Sequence, residues 1–312
     1  MEESNGQQAK KSDDQSAKES VDHKAGFVNI IGSPNVGKST LMNELVGERM
    51  SIITRKAQTT RHRILGIVND ENYQIVYSDT PGVLLPSYKM HEGMMKFVQD
   101  ALKDADVLLV VTELGEKSLN NPETQEKLKK MDTPILLLIN KVDKGTQEQI
   151  EEFVDYWSKE LPKAEILPIS ALEKMNLTLI MDWIVKKLPV SPPFYAKDAL
   201  TDKPERFFVS EIIREKILLN YSKEVPYSVE IEVESFKESE KIIRIRAIIY
   251  VARDSQKAII IGKQGKSLKT VGIESRKDLE EFFGKQVYLE MFVKVKKNWR
   301  DDDKDLKNFG YL

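Results

Sequence analysis

From Ala25 onward, short apolar runs alternate with longer amphipathic stretches. The runs Phe27–Gly32, Ile64–Val68, Gln74–Ser78, Val107–Thr112, Ile135–Asn140 and Ile166–Ile169 predict β-strands. Several are apolar at successive positions, as parallel strands covered by helices on both faces are. Between them, Gly37–Val46, Tyr88–Lys103, Pro122–Met131, Thr146–Glu160 and Asn176–Leu188 carry helical spacing. Strands and helices taken in turn predict an α/β domain with a doubly wound sheet.

The pattern breaks at 188–204, where four prolines fall within LPVSPPFYAKDALTDKP, an extended linker and a domain boundary. A different order follows: a helix over Arg206–Asn220, a hairpin from Ser228–Glu234 and Lys241–Val251, helices at Ser255–Ile261 and Ser267–Phe283, and a strand at Val287–Val295. The first 24 residues hold one branched aliphatic side chain, Val21, and no aromatic. They cannot bury enough surface to offset chain entropy and read as a disordered tail. They lack the apolar core of a signal peptide, and they are acidic and arginine-free, unlike a transit peptide. The predicted plan is therefore a tail (1–24), an α/β domain (25–187), a linker (188–204), an α+β domain (205–300) and a C-terminal tail (301–312) whose structure the pattern leaves open.

Composition narrows the chemistry. There is no cysteine in 312 residues, which removes disulfides, thiolate metal sites and cysteine nucleophiles, and which fits a reducing, cytoplasmic setting. The three histidines, His23, His62 and His91, have no metal-ligand spacing. The longest apolar run, Ala247–Ala252, is far short of a membrane span. Net charge is −2, but Lys241–Arg300 holds 15 Lys and Arg against 6 Asp and Glu, a local +9 that leaves −11 elsewhere. Such a basic stretch suits a phosphate backbone.

Gly32-Ser-Pro-Asn-Val-Gly-Lys38-Ser39 matches the phosphate-binding loop, after a predicted strand and before a predicted helix. Its backbone N–H groups form an anion nest, Lys38 reaches the β and γ phosphates, and the Ser39 hydroxyl ligates Mg²⁺. The candidate nucleotide set runs through Gly32, Ser33, Pro34, Asn35, Val36, Gly37, Lys38, Ser39 and Thr40. Asn140-Lys141-Val142-Asp143 follows another apolar strand, where the Asp143 carboxylate can accept from both guanine N1–H and the exocyclic amine. Adenine would leave that carboxylate unpaired. Asp79-Thr80-Pro81-Gly82 ends a third strand: Asp79 suits the Mg²⁺ shell and the Gly82 N–H the γ-phosphate, with Val83 adjoining. Ser170-Ala171 ends the last strand and can bring an N–H to guanine O6. Ligands bind at this strand edge in open α/β sheets.

The ordered set GSPNVGKS, QTTRH (Gln58–His62), DTPG, NKVD and ISA resembles the Era and MnmE-type branch of the translation-factor-related, Ras-like GTPases. The resemblance implies GTP and GDP as ligands, Gln58–His62 as the first switch, and Thr60 as the third Mg²⁺ ligand beside Ser39 and Asp79. Chemistry alone leaves Thr59 equally eligible. It also implies K⁺ as a helper of hydrolysis, held partly by Asn35, so that Asn35, Lys38, Thr60 and Gly82 form the catalytic set. Where many small GTPases place a glutamine after the DxxG glycine, this chain has Val83, which predicts slow unaided hydrolysis.

In the basic stretch, Ile261-Gly262-Lys263-Gln264-Gly265-Lys266 joins two predicted helices. Two glycines allow close backbone approach to a single strand, and the lysines meet its phosphates. Set within the order helix, strand, strand, helix, helix, strand, the loop resembles that of type II KH domains. A Ras-like P-loop GTPase domain, a proline-rich linker and a type II KH domain together resemble the Era family over about residues 25–300. That resemblance implies a monomer that binds the 3′ end of 16S ribosomal RNA and acts in 30S subunit assembly, with peripheral association at the inner face of the membrane. The competing readings are a membrane-associated signalling GTPase and a non-hydrolysing, GTP-dependent RNA chaperone. Trp157 and Trp183 read as packing groups, Trp299 beside basic residues as a candidate RNA contact, His62 as an exposed switch residue, and Asp301–Asp303 as a solvated acidic turn.

Overall fold

The computed structural model describes residues 22–312, so the predicted tail up to Val21 lies outside the described residues. The last predicted tail residue is already part of a sheet. β1 (Lys24–Gly32) starts with Lys24 paired to Tyr73, and a bridge joins Lys24 to Val190. Then come α1 (Lys38–Val46), β2 (Ile64–Asn69), β3 (Tyr73–Asp79), α2 (Lys89–Lys103), β4 (Val107–Glu113), α3 (Pro122–Lys130), β5 (Ile135–Asn140), α4 (Gln147–Glu160), β6 (Glu165–Pro168) and α5 (Leu177–Lys187).

The strands form one sheet in the order β2-β3-β1-β4-β5-β6, parallel except for β2 against β3. The antiparallel pair is a departure from simple strand–helix alternation. Only Asp70, Glu71 and Asn72 separate β2 from β3, too few residues for a crossover, so the chain must turn back on itself. The helices cover both faces. Leu41, Met42 and Leu45 of α1 and Ile180 and Ile184 of α5 pack on one. Met95 and Val98 of α2, Leu128 of α3, and Phe153 and Trp157 of α4 pack on the other. Caps fix where these helices begin: Asn121 accepts from the Thr124 N–H at α3, and Thr146 and Gln149 form a capping box at α4.

The proline-rich segment is extended, as its composition predicts, but it is a packed strap. Gln74 accepts from the Phe194 and Tyr195 N–H groups and donates to the Tyr195 carbonyl, and the Ile67 N–H donates to the Leu200 carbonyl. Tyr195 and Ala199 cover Leu65, Ile67 and Val76 on the sheet's edge.

The second half has α6 (Glu205–Asn220), β7 (Val229–Glu238), β8 (Ile242–Val251), α7 (Asp254–Ile261), α8 (Lys266–Phe283) and β9 (Gln286–Val295), in the predicted order. Its three-stranded sheet runs β7-β8-β9, with β7 antiparallel and β9 parallel to β8. The parallel pair needs a crossover, which α7 and α8 supply. Ile213, Ile217, Ile245, Ile249, Val271 and Leu279 are among its core.

The C-terminal residues, open in the sequence pattern, form α9 (Asp303–Asn308) and dock on the first domain. Trp299, Leu306 and Tyr311 pack with Met90 and Met94 of α2. Trp299 is fully buried and its indole N–H donates to the Ser228 carbonyl (3.2 Å), so it is not an RNA contact. Asp301–Asp303 is exposed, as a solvated acidic turn is, and makes surface contacts: the Lys89 N–H donates to Asp301, Lys89 pairs with Asp303, and Asp302 caps α9. His62, by contrast, differs from its expected exposure. Its ring stacks on Tyr311 at 4.5 Å and abuts Phe97 and Phe207.

Burial of His62 in this aromatic junction, with Arg214, Lys203 and Arg61 nearby, holds its pKa down to about 4 against an ordinary 6.5, although Glu230 opposes the shift. The unfolded chain therefore binds a proton that the folded protein refuses. The contribution of neutral His62 to stability is complete above pH 6.5 and is lost as pH falls toward 4. His62→Phe should lose about 2 kcal/mol less stability than the parent between pH 7 and pH 5. Urea midpoints at the two pH values check this; equal losses would remove His62 as the cause.

Candidate functional site

The four parallel strands β1, β3, β5 and β6 deliver their loops to one edge of the sheet, around a cavity of about 830 Å³. Gly37 closes the loop after β1 and opens α1. It has φ of 102°, and a Cβ there would lie 2.2 Å from the Asn140 amide nitrogen, so any side chain would be both strained and in collision. The loop thus brings backbone N–H groups to the start of α1, an arrangement suited to an anion. The Lys38 ammonium is held inside, donating to the carbonyls of Gly32 (3.0 Å) and Ser33 (2.8 Å). Burial pulls its pKa down to about 8 against the opposing pull of Asp79 and Glu116.

Ser39, Thr60 and Asp79 converge beside Lys38. The Ser39 hydroxyl lies 2.9 Å from that of Thr60 and donates to Asp79 Oδ2 (2.7 Å); Thr60 donates to the same oxygen at 3.2 Å. Asp79 Oδ1 is buried without a hydrogen-bond partner, and burial raises the carboxyl's pKa despite Lys38 and the nearby hydroxyls. Two hydroxyls and a carboxylate with a spare oxygen are the hard oxygen donors that Mg²⁺ takes, so the residues fit that ion. Thr59 points elsewhere: its hydroxyl lies 2.7 Å from that of Thr54 and donates to the Lys56 carbonyl. Of the two threonines that chemistry alone leaves equally eligible, Thr60 is the one whose hydroxyl stands beside Ser39 and Asp79.

At the other end of the cavity, Asn140 acts as a strut. Its amide donates to the Val36 carbonyl (2.7 Å) and its oxygen accepts from the Ala171 N–H (3.0 Å). Lys141, at φ of 64°, crosses to the Asn35 carbonyl (2.7 Å) and pairs with Glu113. Asp143 is exposed to the cavity, where the Ser170 hydroxyl orients it at 2.7 Å. Pro34, Asn35, Thr40 and Gly82 also line the space. Other members of the candidate set turn inward: the side chains of Val36, Val83 and Val142 are in the core, Pro81 is buried, Ser33 accepts from the Asn120 N–H, and Thr80 donates to the Ile30 carbonyl. These residues can meet a ligand through backbone groups only.

The second site lies in the other domain. Gly262 ends α7 with φ of 72°, and Gly265 opens α8 with φ of 74°, where a Cβ would meet no atom within 4 Å. Lys263, Gln264 and Lys266 line this turn with at least part of each side chain in solvent, whereas Ile261 packs against the core. Ile259, half exposed on α7, adds an apolar contact that the loop motif alone does not name.

One wall of the nucleotide-sized cavity comes from outside the first domain. Leu219 of α6 lines it together with Ile53. The sequence does carry a signal for this: Glu211, Arg214 and Glu215 are charged residues set among Val209, Ile212, Ile213, Ile217 and Leu218, and all three are buried.

Residues 27–141 match the family described as 50S ribosome-binding GTPase, and residues 224–300 match the KH domain family. The chain is 43% identical over 300 residues to GTPase Era of Thermoanaerobacter sp. strain X514, covering 93% of this chain and 97% of the relative. It is 44% identical to GTPase Era of Syntrophus aciditrophicus, with 94% and 96% covered. Its fold is similar to that of Era in complex with MgGDPNP and nucleotides 1506–1542 of 16S ribosomal RNA, at a TM-score of 0.89 and 38% identity over 93% of this chain and 99% of that one. An Aquifex aeolicus Era variant bound to GDP·AlF₄⁻ is similar at a TM-score of 0.87, with 38% identity and the same coverage.

The carboxylate of Asp143, exposed to the cavity, can be tested directly. Asp143→Asn should weaken GTP by about 100-fold or more and improve xanthosine triphosphate, whose 2-oxo group accepts where guanine donates. Competition binding with the two triphosphates measures this, and an unchanged preference would remove Asp143 from base selection.

Proposed function

This chain belongs to the Era family of GTPases, and on that premise we propose that it binds the 3′ end region of 16S ribosomal RNA under the control of its nucleotide. It hydrolyses GTP to GDP and phosphate. The observation that carries the RNA reading is that the likeness to Era bound to MgGDPNP and 16S nucleotides spans both domains at once.

In this reading the guanine sits against Asp143, Asn140, Ser170 and Ala171, and the phosphates meet the N–H groups from Asn35 to Thr40. Ser39, Thr60 and Asp79 would hold Mg²⁺, which when bound neutralises charge on the β and γ phosphates. Lys38 stabilises the same charge, and the Gly82 N–H meets the γ-phosphate. Water attacks the γ-phosphorus and GDP leaves. The residue after Gly82, Val83, is fully buried, so it offers no group to orient that water. Unaided turnover is therefore slow, as suits a switch. Asn35, exposed at the cavity mouth, would contribute an oxygen to K⁺.

The RNA strand would lie along the Gly262–Lys266 loop, its phosphates at Lys263 and Lys266 and its bases near Ile259. The proposal extends to action on the 30S subunit as a cytoplasmic monomer with peripheral contact at the membrane; family membership alone supports these. No helix among the described residues is long and apolar enough to cross a membrane.

Replacing Gly262 and Gly265 together by aspartate should lower affinity for a 16S 3′-end oligonucleotide by about 100-fold while leaving nucleotide affinity unchanged. Retained RNA binding would sink the loop assignment. Turnover should be several-fold faster in potassium than in sodium, roughly the contribution of one ion–oxygen contact. Asn35→Ala should erase the difference, and equal rates in the parent protein would exclude a potassium role.

A further inference from the structure

The segment around the first switch is fastened to a single helix of the second domain. Arg49 pairs with Glu215, whose other oxygen accepts from the Ile53 N–H at 3.2 Å. The Lys56 ammonium donates to the carbonyls of Leu218 and Tyr221 at the end of α6. Arg214, 1% exposed, donates to the carbonyls of Gln58 (3.4 Å) and Thr59. On the other side of Thr60, the Arg61 guanidinium is inserted into the second domain. It donates to the carbonyls of Val229 (2.6 Å), Pro226 and Tyr227 and pairs with Glu230.

We propose that Arg214 is a positioning residue of the nucleotide site: it holds the Gln58 and Thr59 carbonyls so that the Thr60 hydroxyl faces the Mg²⁺ position. The second domain thereby completes the recognition of GTP. The proposal rests on the reading of Thr60 as a Mg²⁺ ligand.

Three observations carry it. The guanidinium has no freedom to turn, because Glu211 accepts from its Nε at 2.8 Å and from one terminal nitrogen. A planar fork fixed in this way sets the direction of every remaining N–H. Gln58 has φ of 55°, a left-handed conformation that a non-glycine residue keeps only under restraint from its surroundings. Its side chain has one weak contact inside the first domain, to Tyr88 at 3.4 Å. Finally, the inner bonds of the loop, from Thr59 to Thr54 and to the Lys56 carbonyl, fold residues 54–59 on themselves without tying them to the phosphate loop. From outside residues 54–59, the restraint nearest Thr60 on its N-terminal side is Arg214.

Thr60 distinguishes GTP from GDP because the switch threonine is engaged when the γ-phosphate and its Mg²⁺ are present. The test uses the full chain and a fluorescent nonhydrolysable GTP analogue against GDP, both in Mg²⁺, so that no turnover enters. Arg214→Met should lower the ratio of analogue to GDP affinity by about tenfold, the scale of one charge-assisted hydrogen bond, and raise the Mg²⁺ concentration needed for the analogue. A generally loosened protein would lose both affinities together and keep the ratio, which would overturn the proposal. Arg214→Lys, which keeps the buried charge but not the fork, should lower the ratio by a smaller factor and decides the matter if the methionine variant does not fold. Thr60→Ala should lower the ratio alone, and adding Arg214→Met to it should change nothing further. If Thr60→Ala leaves the ratio unchanged, the metal-ligand reading falls and this proposal with it. If Thr60→Ala lowers it but neither Arg214 variant does, only the proposal falls.

Discussion

Two buried guanidiniums exchanged across the domain boundary set the constraint on which the rest of this architecture depends. Arg61 reaches from the first domain into the second and Arg214 reaches back, each 1% exposed. A charge removed from water is tolerated only where carboxylates and carbonyls surround it, and breaking one such pair costs about 3–5 kcal/mol. The acceptors on each side are fixed backbone groups: Val229, Pro226 and Tyr227 for Arg61, Gln58 and Thr59 for Arg214. Two domains that could slide over an apolar interface are thus held in one register, and the segment from Gln58 to Arg61 is part of the seam.

Other contacts lie along the same seam. Tyr311 donates to Glu230 (2.7 Å), the partner of Arg61, and stacks on His62, the neighbour of Arg61. Arg300 lies over the Tyr88 ring at 4.6 Å, and Tyr88 stacks on His91. At the far end of α6, Tyr221 accepts from Lys56 through its carbonyl and donates through its hydroxyl to the Ile260 carbonyl (2.6 Å), shortly before Gly262. One residue therefore touches both Lys56, just before Gln58–His62, and the helix that leads into the Gly262–Gly265 loop.

Much of the site was legible in the chain because its parts are local. A phosphate loop needs a strand end, two glycines, a lysine and a helix start in close succession, and GSPNVGKS holds all of them. Asn140 through Asp143 and Gly262 through Gly265 are equally contiguous. Where local grammar failed, distance along the chain was the reason. Trp299 sits among Lys296, Lys297 and Arg300 and has the company of a nucleic-acid contact, yet Ser228 and the α2 methionines enclose it. His62 has no chain neighbour that announces Phe97, Phe207 or Tyr311. The antiparallel β2–β3 hairpin was hidden for another reason: two short apolar runs look alike in either direction, and only the short turn between them decides.

Two domains of different type, a glycine-lysine loop between a strand and a helix, the Asn140–Asp143 turn and a basic glycine loop are all specified along the chain itself, because each is written in residues that act within a few positions of one another. The folded molecule was needed to show that Thr60 rather than Thr59 faces Asp79, that the C-terminal residues pack on α2, and that α6 walls the nucleotide cavity. The Arg214 contact to Thr59 spans 155 positions. Which carbonyl a buried guanidinium finds depends on how the surfaces of two domains meet, and no periodicity or spacing along one chain encodes that.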